Sequence, residues 1–247
     1  MAKRSAKRRR RKNILPAVIL AAILAIAVYL LLDNYVFVVR DIEVIGAQTM
    51  GAEDVIRLAQ LPIGKPLRQV REEKVRRALE STGRVALESL QTKLPNRVLL
   101  TVRERRQAAL VQNAGQVLAL DSDGVVIAQY QSVPEESSVY VTGLNVRHFA
   151  LGSQIGGDSQ AVEDMVAVLR ALQAVDAEAL VSELNVADSQ QLYFYSRTGI
   201  QVMLGSNDNM ERKLQWMKSA LLDLEGRGET RGRLDVSSGN KADFLPR

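Results

Sequence analysis

The chain has 247 residues, no cysteine and one histidine, which excludes a disulfide framework, a thiolate zinc centre and a cysteine nucleophile. Its formal net charge of +5 is unevenly spread: residues 3–12 hold eight basic side chains and no acid, residues 40–106 carry 14 basic against 9 acidic, and residues 107–247 carry 11 against 18. A change of sign near residue 106 predicts two modules with different neighbours.

The basic run (Lys3, Arg4, Lys7, Arg8, Arg9, Arg10, Arg11, Lys12) stops at Asn13, and residues 14–32 follow without a charge. These nineteen residues make a helix of about 28 Å, close to the thickness of a bilayer's hydrocarbon core. Pro16 falls in the first turn, where its missing N–H costs nothing. Basic residues flanking a span stay in the cytoplasm. The expectation is a single-pass protein of the plasma membrane, with residues 1–13 a cytoplasmic tail, 14–32 the transmembrane helix and everything after Asp33 outside. A cleaved signal peptide is the competing reading, since Ala25-Ile26-Ala27 has a small-x-small pattern; the further apolar run from Val28 to Leu32 favours a retained anchor. Beside such a helix the Arg-rich tail reads as an orientation signal attracted to anionic lipid, not as a nucleic-acid site.

Beyond the anchor, residues 36–45 alternate as a strand ending at Gly46. A helix over 51–60 follows, with Glu53 and Asp54 in its first turn and Val55, Leu58 and Ala59 on one face. Leu61-Pro62-Ile63-Gly64-Lys65-Pro66-Leu67 breaks it. A second helix is predicted over 69–82, with Val75, Ala78 and Leu79 inward and Glu72/Arg76 and Glu73/Arg77 pairing outside. Strands over 85–93 and 97–105 flank a turn at Leu94-Pro95-Asn96. Neither helix can bury its stripe alone, but both can lie on one face of a three-stranded sheet.

The second module opens with a hairpin over 117–126 turning at Asp123-Gly124. A polar loop over 132–138 and a strand over 139–144 lead to a helix over 160–174 striped by Val162, Met165, Val166, Leu169 and Leu172. Strands over 181–186, 192–196 and 200–204 precede a helix over 209–224. Two final strands cover 233–236 and 241–245.

No catalytic set emerges. His148 has no convergent partners, Asp121-x-Asp123-Gly124 lacks the distal ligands of a calcium loop, the serines have no lysine or base in motif, and Gly152-x-x-x-Gly156-Gly157 lacks the Gly-Lys-Ser/Thr of a phosphate loop. The reading is a protein that is not an enzyme, with no cofactor, no metal and no small-molecule substrate.

The order of these motifs carries a resemblance. Val39-Arg40-Asp41-Ile42-Glu43-Val44-Ile45-Gly46, the Leu61–Leu67 break, and Leu94-Pro95-Asn96 with Val98-x-Leu100-x-Val102-x-Glu104-Arg105 together resemble the POTRA domain of the FtsQ/DivIB cell-division proteins. Gln107 stands where that family usually has proline. The Asp-x-x-Gly hairpin, Thr142-Gly143-Leu144, the Thr198-Gly199 hairpin ending Leu204-Gly205, and Leu234-Asp235-Val236 resemble its β-domain. The resemblance implies an α+β protein: an N-terminal transmembrane helix, a β-α-α-β-β POTRA domain over 37–106, then a mixed, mainly β domain with flanking helices over 107–247. It implies a divisome scaffold at the division septum, with FtsB- and FtsL-like bitopic partners and an FtsW/FtsI-like septal synthase as neighbours. In the family a partner segment joins the last strand. On this chain that places the contact at Arg233, Asp235, Val236, Lys241, Ala242, Asp243, Phe244 and Leu245, with Phe244 either an interface anchor or a core residue. The alternative is a membrane-anchored POTRA-type adaptor for envelope assembly or secretion, a class that normally repeats the POTRA domain.

Overall fold

The computed structural model describes residues 14–134 and 138–247. The basic tail therefore lies outside the described residues, as does part of the polar loop at 132–138. The chain separates into two compact units, residues 1–78 with 87–103, and residues 79–86 with 104–247.

The first unit begins with α1 (Ile14–Leu31), whose side chains from Leu15 onward are all exposed. An apolar helix with no polar face and nothing packed on it has hydrocarbon as its natural surroundings. One helical stretch among the described residues, 15–36, is long and apolar enough to cross a membrane. The predicted strand does not start at 36. Residues Leu32–Val36 instead extend α1 by a π-helical turn, closed by the Phe37 N–H donating to the Leu32 carbonyl at 2.9 Å. Residues 37–39 then pair with the Leu61–Leu67 break: Leu67 N–H donates to Phe37 O at 2.8 Å and Val39 N–H to Lys65 O at 2.9 Å. That pairing occupies the backbone that strand propensity alone assigns to the sheet.

The sheet strand β1 is Asp41–Ile45. It lies parallel to β3 (Arg97–Glu104), which also pairs with β2 (Val85–Lys93), giving the order β1-β3-β2. The two helices are α2 (Ala52–Ala59) and α3 (Glu72–Glu80). The second is shorter than predicted. Val70 is extended, so Leu67–Gln69 closes as one 3-10 turn and the helix restarts with Glu72 and Glu73 at its positive end. Val55, Ala59 and Val75 from the helices and Val98, Leu100 and Val102 from β3 are all buried.

The second unit is one mixed sheet of nine strands, in the order β12-β11-β10-β9-β8-β7-β4-β5-β6. The strands are β4 (Ala109–Asn113), β5 (Gln116–Leu120), β6 (Val126–Tyr130), β7 (Val139–Thr142), β8 (Val181–Asn185), β9 (Leu192–Ser196), β10 (Gln201–Gly205), β11 (Gly232–Asp235) and β12 (Asp243–Pro246). The sequence reading omits β4. It joins β5 through Ala114-Gly115, both at positive φ, which is the two-residue turn that fits the twist of a tight hairpin.

Of the three parallel pairs in this sheet, β7/β8 and β10/β11 are each bridged by a helix, whereas β4 and β7 are connected through β5 and β6. The bridging helices are α4 (Ser159–Ala174), capped by the Asp158 carboxylate accepting the Gln160 N–H, and α5 (Met210–Gly226). Both cover one face of the sheet. Met165, Leu169 and Leu172 of α4 and Leu214 and Met217 of α5 pack with Leu118, Leu184, Phe194, Val202 and Leu234 in the main core. On the opposite face Leu110, Val117 and Ala119 form a second, smaller buried cluster, with Ile127, Ala128, Tyr130 and Tyr140 packed against it.

Candidate functional site

The last strand sits at an edge. β12 pairs antiparallel with β11 on one side, in the register Gly232↔Pro246, Arg233↔Leu245, Leu234↔Phe244 and Asp235↔Asp243. On its other side no strand follows among the described residues. Which peptide groups are free follows from one contact. The Leu245 carbonyl oxygen lies 2.7 Å from the position a Cβ on Gly232 would take, so Leu245's peptide groups face β11. Alternation then turns the N–H and C=O of Phe244 outward. Pro246, the next residue to face outward, has no N–H, so the row of free donors stops at Phe244. Such an open row is a template for an incoming strand.

The side chains split between the two faces. Phe244, opposite buried Leu234, is half-buried, packs on the main core and lays its ring over Gly232, whose Cβ would stand 2.6 Å from the ring tip. Ala242 also packs against that core. Val236 is fully buried and donates its N–H to Met203 O at 3.0 Å, so its side chain is out of a partner's reach. Leu245 is the apolar residue left open, at 69% exposure. It heads a row across the face opposite Leu234 and Phe244, Leu245–Arg233–Gln201–Tyr195, with Asp243–Asp235–Met203–Tyr193 beside it. Tyr193 and Tyr195 meet edge to face, their ring centres 5.9 Å apart.

Sequence reasoning missed this second half of the surface. Its signal was the run Leu192-Tyr193-Phe194-Tyr195, apolar or aromatic at every position. A strand with one solvated face alternates instead.

Charge is balanced locally. Asp235 and Asp243 stand directly opposite, which like charges disfavour. Lys241 bridges them, its Nζ 2.6 Å from Asp243. The Asp243 carboxylate holds the Lys241 ammonium above its ordinary pKa, by hydrogen bond and by charge. Partial burial pushes Asp235 up, but the Ser237 hydroxyl and N–H, with Arg233 and Lys241, outweigh it and hold Asp235 below the ordinary carboxylate value.

Other candidates resolve into structural roles. The His148 ring packs against Gly156 in a short bridge between loops. Asp121 is buried and paired with Arg105, and its second oxygen accepts the N–H groups of Asp123 and Val125 at 2.9 Å each. The Asp-x-Asp-Gly stretch thus makes a turn that Arg105 neutralises. A shallow cleft of about 660 Å3 between α4 and α5 is floored by Ala167, Ala171 and Met210 and rimmed by Arg170, Glu211 and Arg212. No group of three metal-ligating side chains occurs among the described residues.

Comparison with known proteins places these features. The model of the FtsQ-type POTRA domain matches residues 37–105, and the model of the FtsQ/DivIB C-terminal region matches residues 109–237. Cell division protein DivIB of Clostridium tetani is 22% identical over 226 residues, covering 90% of this chain and 85% of its own. Cell division protein FtsQ of Streptomyces bingchenggensis is 29% identical over 136 residues, covering 54% of this chain and 51% of its own. The solved major extracytoplasmic domain of DivIB from Geobacillus stearothermophilus aligns with 50% of this chain and 96% of its own, at 18% identity and a TM-score of 0.35. With the C-terminal model alone spanning more than half of its residues, this chain belongs to the FtsQ/DivIB family of cell-division proteins.

Proposed function

We propose that this protein is a non-enzymatic, single-pass scaffold of the bacterial divisome. Its N-terminus is cytoplasmic and its two folded units lie on the far side of the plasma membrane, concentrated at the septum. It recruits FtsB- and FtsL-like bitopic proteins by accepting a strand of theirs at β12, and so links them to an FtsW/FtsI-like synthase of septal peptidoglycan. The observation that carries the recruitment step is the free edge of β12, with the outward peptide groups of Phe244 flanked by Leu245. Backbone hydrogen bonds supply affinity in such strand addition, and alternate side chains supply choice. The edge lies beyond the residues matched by the family model, so the reading rests on the geometry of this chain. The FtsQ/DivIB C-terminal match weighs against the adaptor alternative.

The test places a photo-crosslinking amino acid at Leu245, which is exposed and outside the core, in cells carrying a fluorescent tag on the cytoplasmic tail. The expected result is midcell fluorescence and capture of a small bitopic division protein. Uniform membrane fluorescence, or capture from Leu222 on the helix-covered face but not from Leu245, contradicts it.

A further inference from the structure

The first unit is not tethered to α1 by a loose linker. Asp33, two residues past the end of α1, is buried, and Arg68 Nε donates to its Oδ2 at 2.6 Å. Asn34 Nδ2 donates back to the Leu30 carbonyl at 2.8 Å, and Arg40 to that of Tyr35 at 3.1 Å. With the backbone pairing of residues 37–39 to 65–67, these bonds hold residues 65–68 at the point where the helix leaves the bilayer.

That segment is one-sided in charge. Between residues 55 and 71 there are four basic side chains, Arg57, Lys65, Arg68 and Arg71, and no acid. Arg57 is engaged by Asp54 at 2.8 Å. Lys65, Arg68 and Arg71 are exposed, and Arg68 is the one Asp33 pins. Lys65 and Arg71 each lie three residues from Arg68, so within about 10 Å of chain, roughly one Debye length at physiological salt. Tyr35 stands 69% exposed in the π-helical turn, a residue type that settles at headgroup depth. The nearest acids in sequence, Glu72 and Glu73, begin α3, and Glu72 is held by Arg76 at 2.7 Å.

We propose that Lys65, Arg68 and Arg71 form a docking surface for the phosphate groups of anionic phospholipid in the leaflet from which α1 emerges, with Asp33 positioning Arg68 toward that layer. The anchor then sets the pose of the first unit as well as its location, pressing its basic rim onto the bilayer. This rests on α1 being a retained membrane anchor and is independent of the partners assigned to β12. Each basic side chain near an anionic surface favours the docked state about fivefold; with Arg68 neutralised by Asp33, Lys65 and Arg71 together favour it about twenty-five-fold.

The absence of cysteine allows a clean test. Gln69, exposed beside Arg68, is changed to Cys in the full chain and labelled with a fluorophore. The protein is placed in nanodiscs of phosphatidylcholine alone, or with about 30 mol % phosphatidylglycerol. Quenching by lipids carrying a headgroup-proximal spin label reports the distance to the leaflet on the Gln69 side. The account expects quenching to rise at least about twofold with phosphatidylglycerol, and to return to the phosphatidylcholine value in about 1 M salt. The same return is expected in Lys65→Gln/Arg71→Gln, both surface substitutions, with the melting temperature unchanged. Equal quenching in the two lipids overturns the proposal. So does a phosphatidylglycerol-dependent signal that survives either high salt or the double substitution.

Discussion

At the scale of single residues, the charged side chains that matter most are buried. Arg105, its side chain 7% exposed, neutralises Asp121, which is 2% exposed and ties the β5–β6 turn through its other oxygen. Removing one partner of a buried pair leaves an uncompensated charge. Arg105→Ala should therefore cost about 3–5 kcal/mol, read from chemical denaturation by the single tryptophan, Trp216. A loss below about 1 kcal/mol would mean the pair is solvated. The Glu104-Arg105 motif is legible in the sequence, but its role is not. Nothing in the spacing shows that Arg105 reaches back onto Asp121. Lys213, 1% exposed, is a second case: its Nζ donates to Ser206 O at 2.8 Å and to Asp208 at 3.0 Å. The Ser206 hydroxyl, then Lys213, lower the Asp208 carboxyl to about 2. A depressed carboxylate adds stability above its unfolded value of about 3.9, and that stability disappears as pH falls through the folded value. Asp208→Asn should thus melt below the parent protein at pH 6, with the gap closing as pH falls from about 4 to about 2. A gap that is constant over that range would contradict the pairing.

At the scale of elements, the β11–β12 hairpin is held by Gly232 beneath Phe244 and by Lys241 between two aspartates. Gly232→Ala would drive a methyl into the ring and into the Leu245 carbonyl. Hydrogen exchange of the Asp243 and Leu245 amides, the two in this strand that face β11, should quicken at least about tenfold while the rest of the sheet keeps its rate. Unchanged exchange would mean the hairpin relaxes at no cost. These elements also show what a sequence reveals. The helix stripes and the 97–105 strand were readable because burial on one face imposes a period. β4 was hidden because Ala108-Ala109-Leu110 directly follows a stretch already explained as the end of β3, and only the turn at Ala114-Gly115 marked a new strand. The π-helical turn at Leu32–Val36 was hidden for another reason: Asp33 reads as the polar end of a span until Arg68, 35 residues away, is seen to bury it.

At the scale of the molecule, the sequence and the structure agree on an apolar N-terminal helix, a three-stranded POTRA sheet with two helices, and a mainly β unit with two more. The candidate edge was legible only in outline. Arg233, Lys241 and Phe244 could be named through the resemblance, which implies a contact at the last strand and its neighbour. The division of labour among them, with Phe244 half in the core and Leu245 open, depends on register and face. The change of charge sign near residue 106 falls close to the boundary between the two units, at residues 103 and 104. The central claim is that a partner strand adds to β12. Hydrogen exchange of the full chain, with and without an FtsB/FtsL-like partner pair, tests it at one amide. The account predicts that binding slows exchange of the Phe244 N–H by at least about tenfold, with the Leu245 N–H, already bonded to β11, changing little. Full binding with the Phe244 N–H exchanging at its free rate would contradict it.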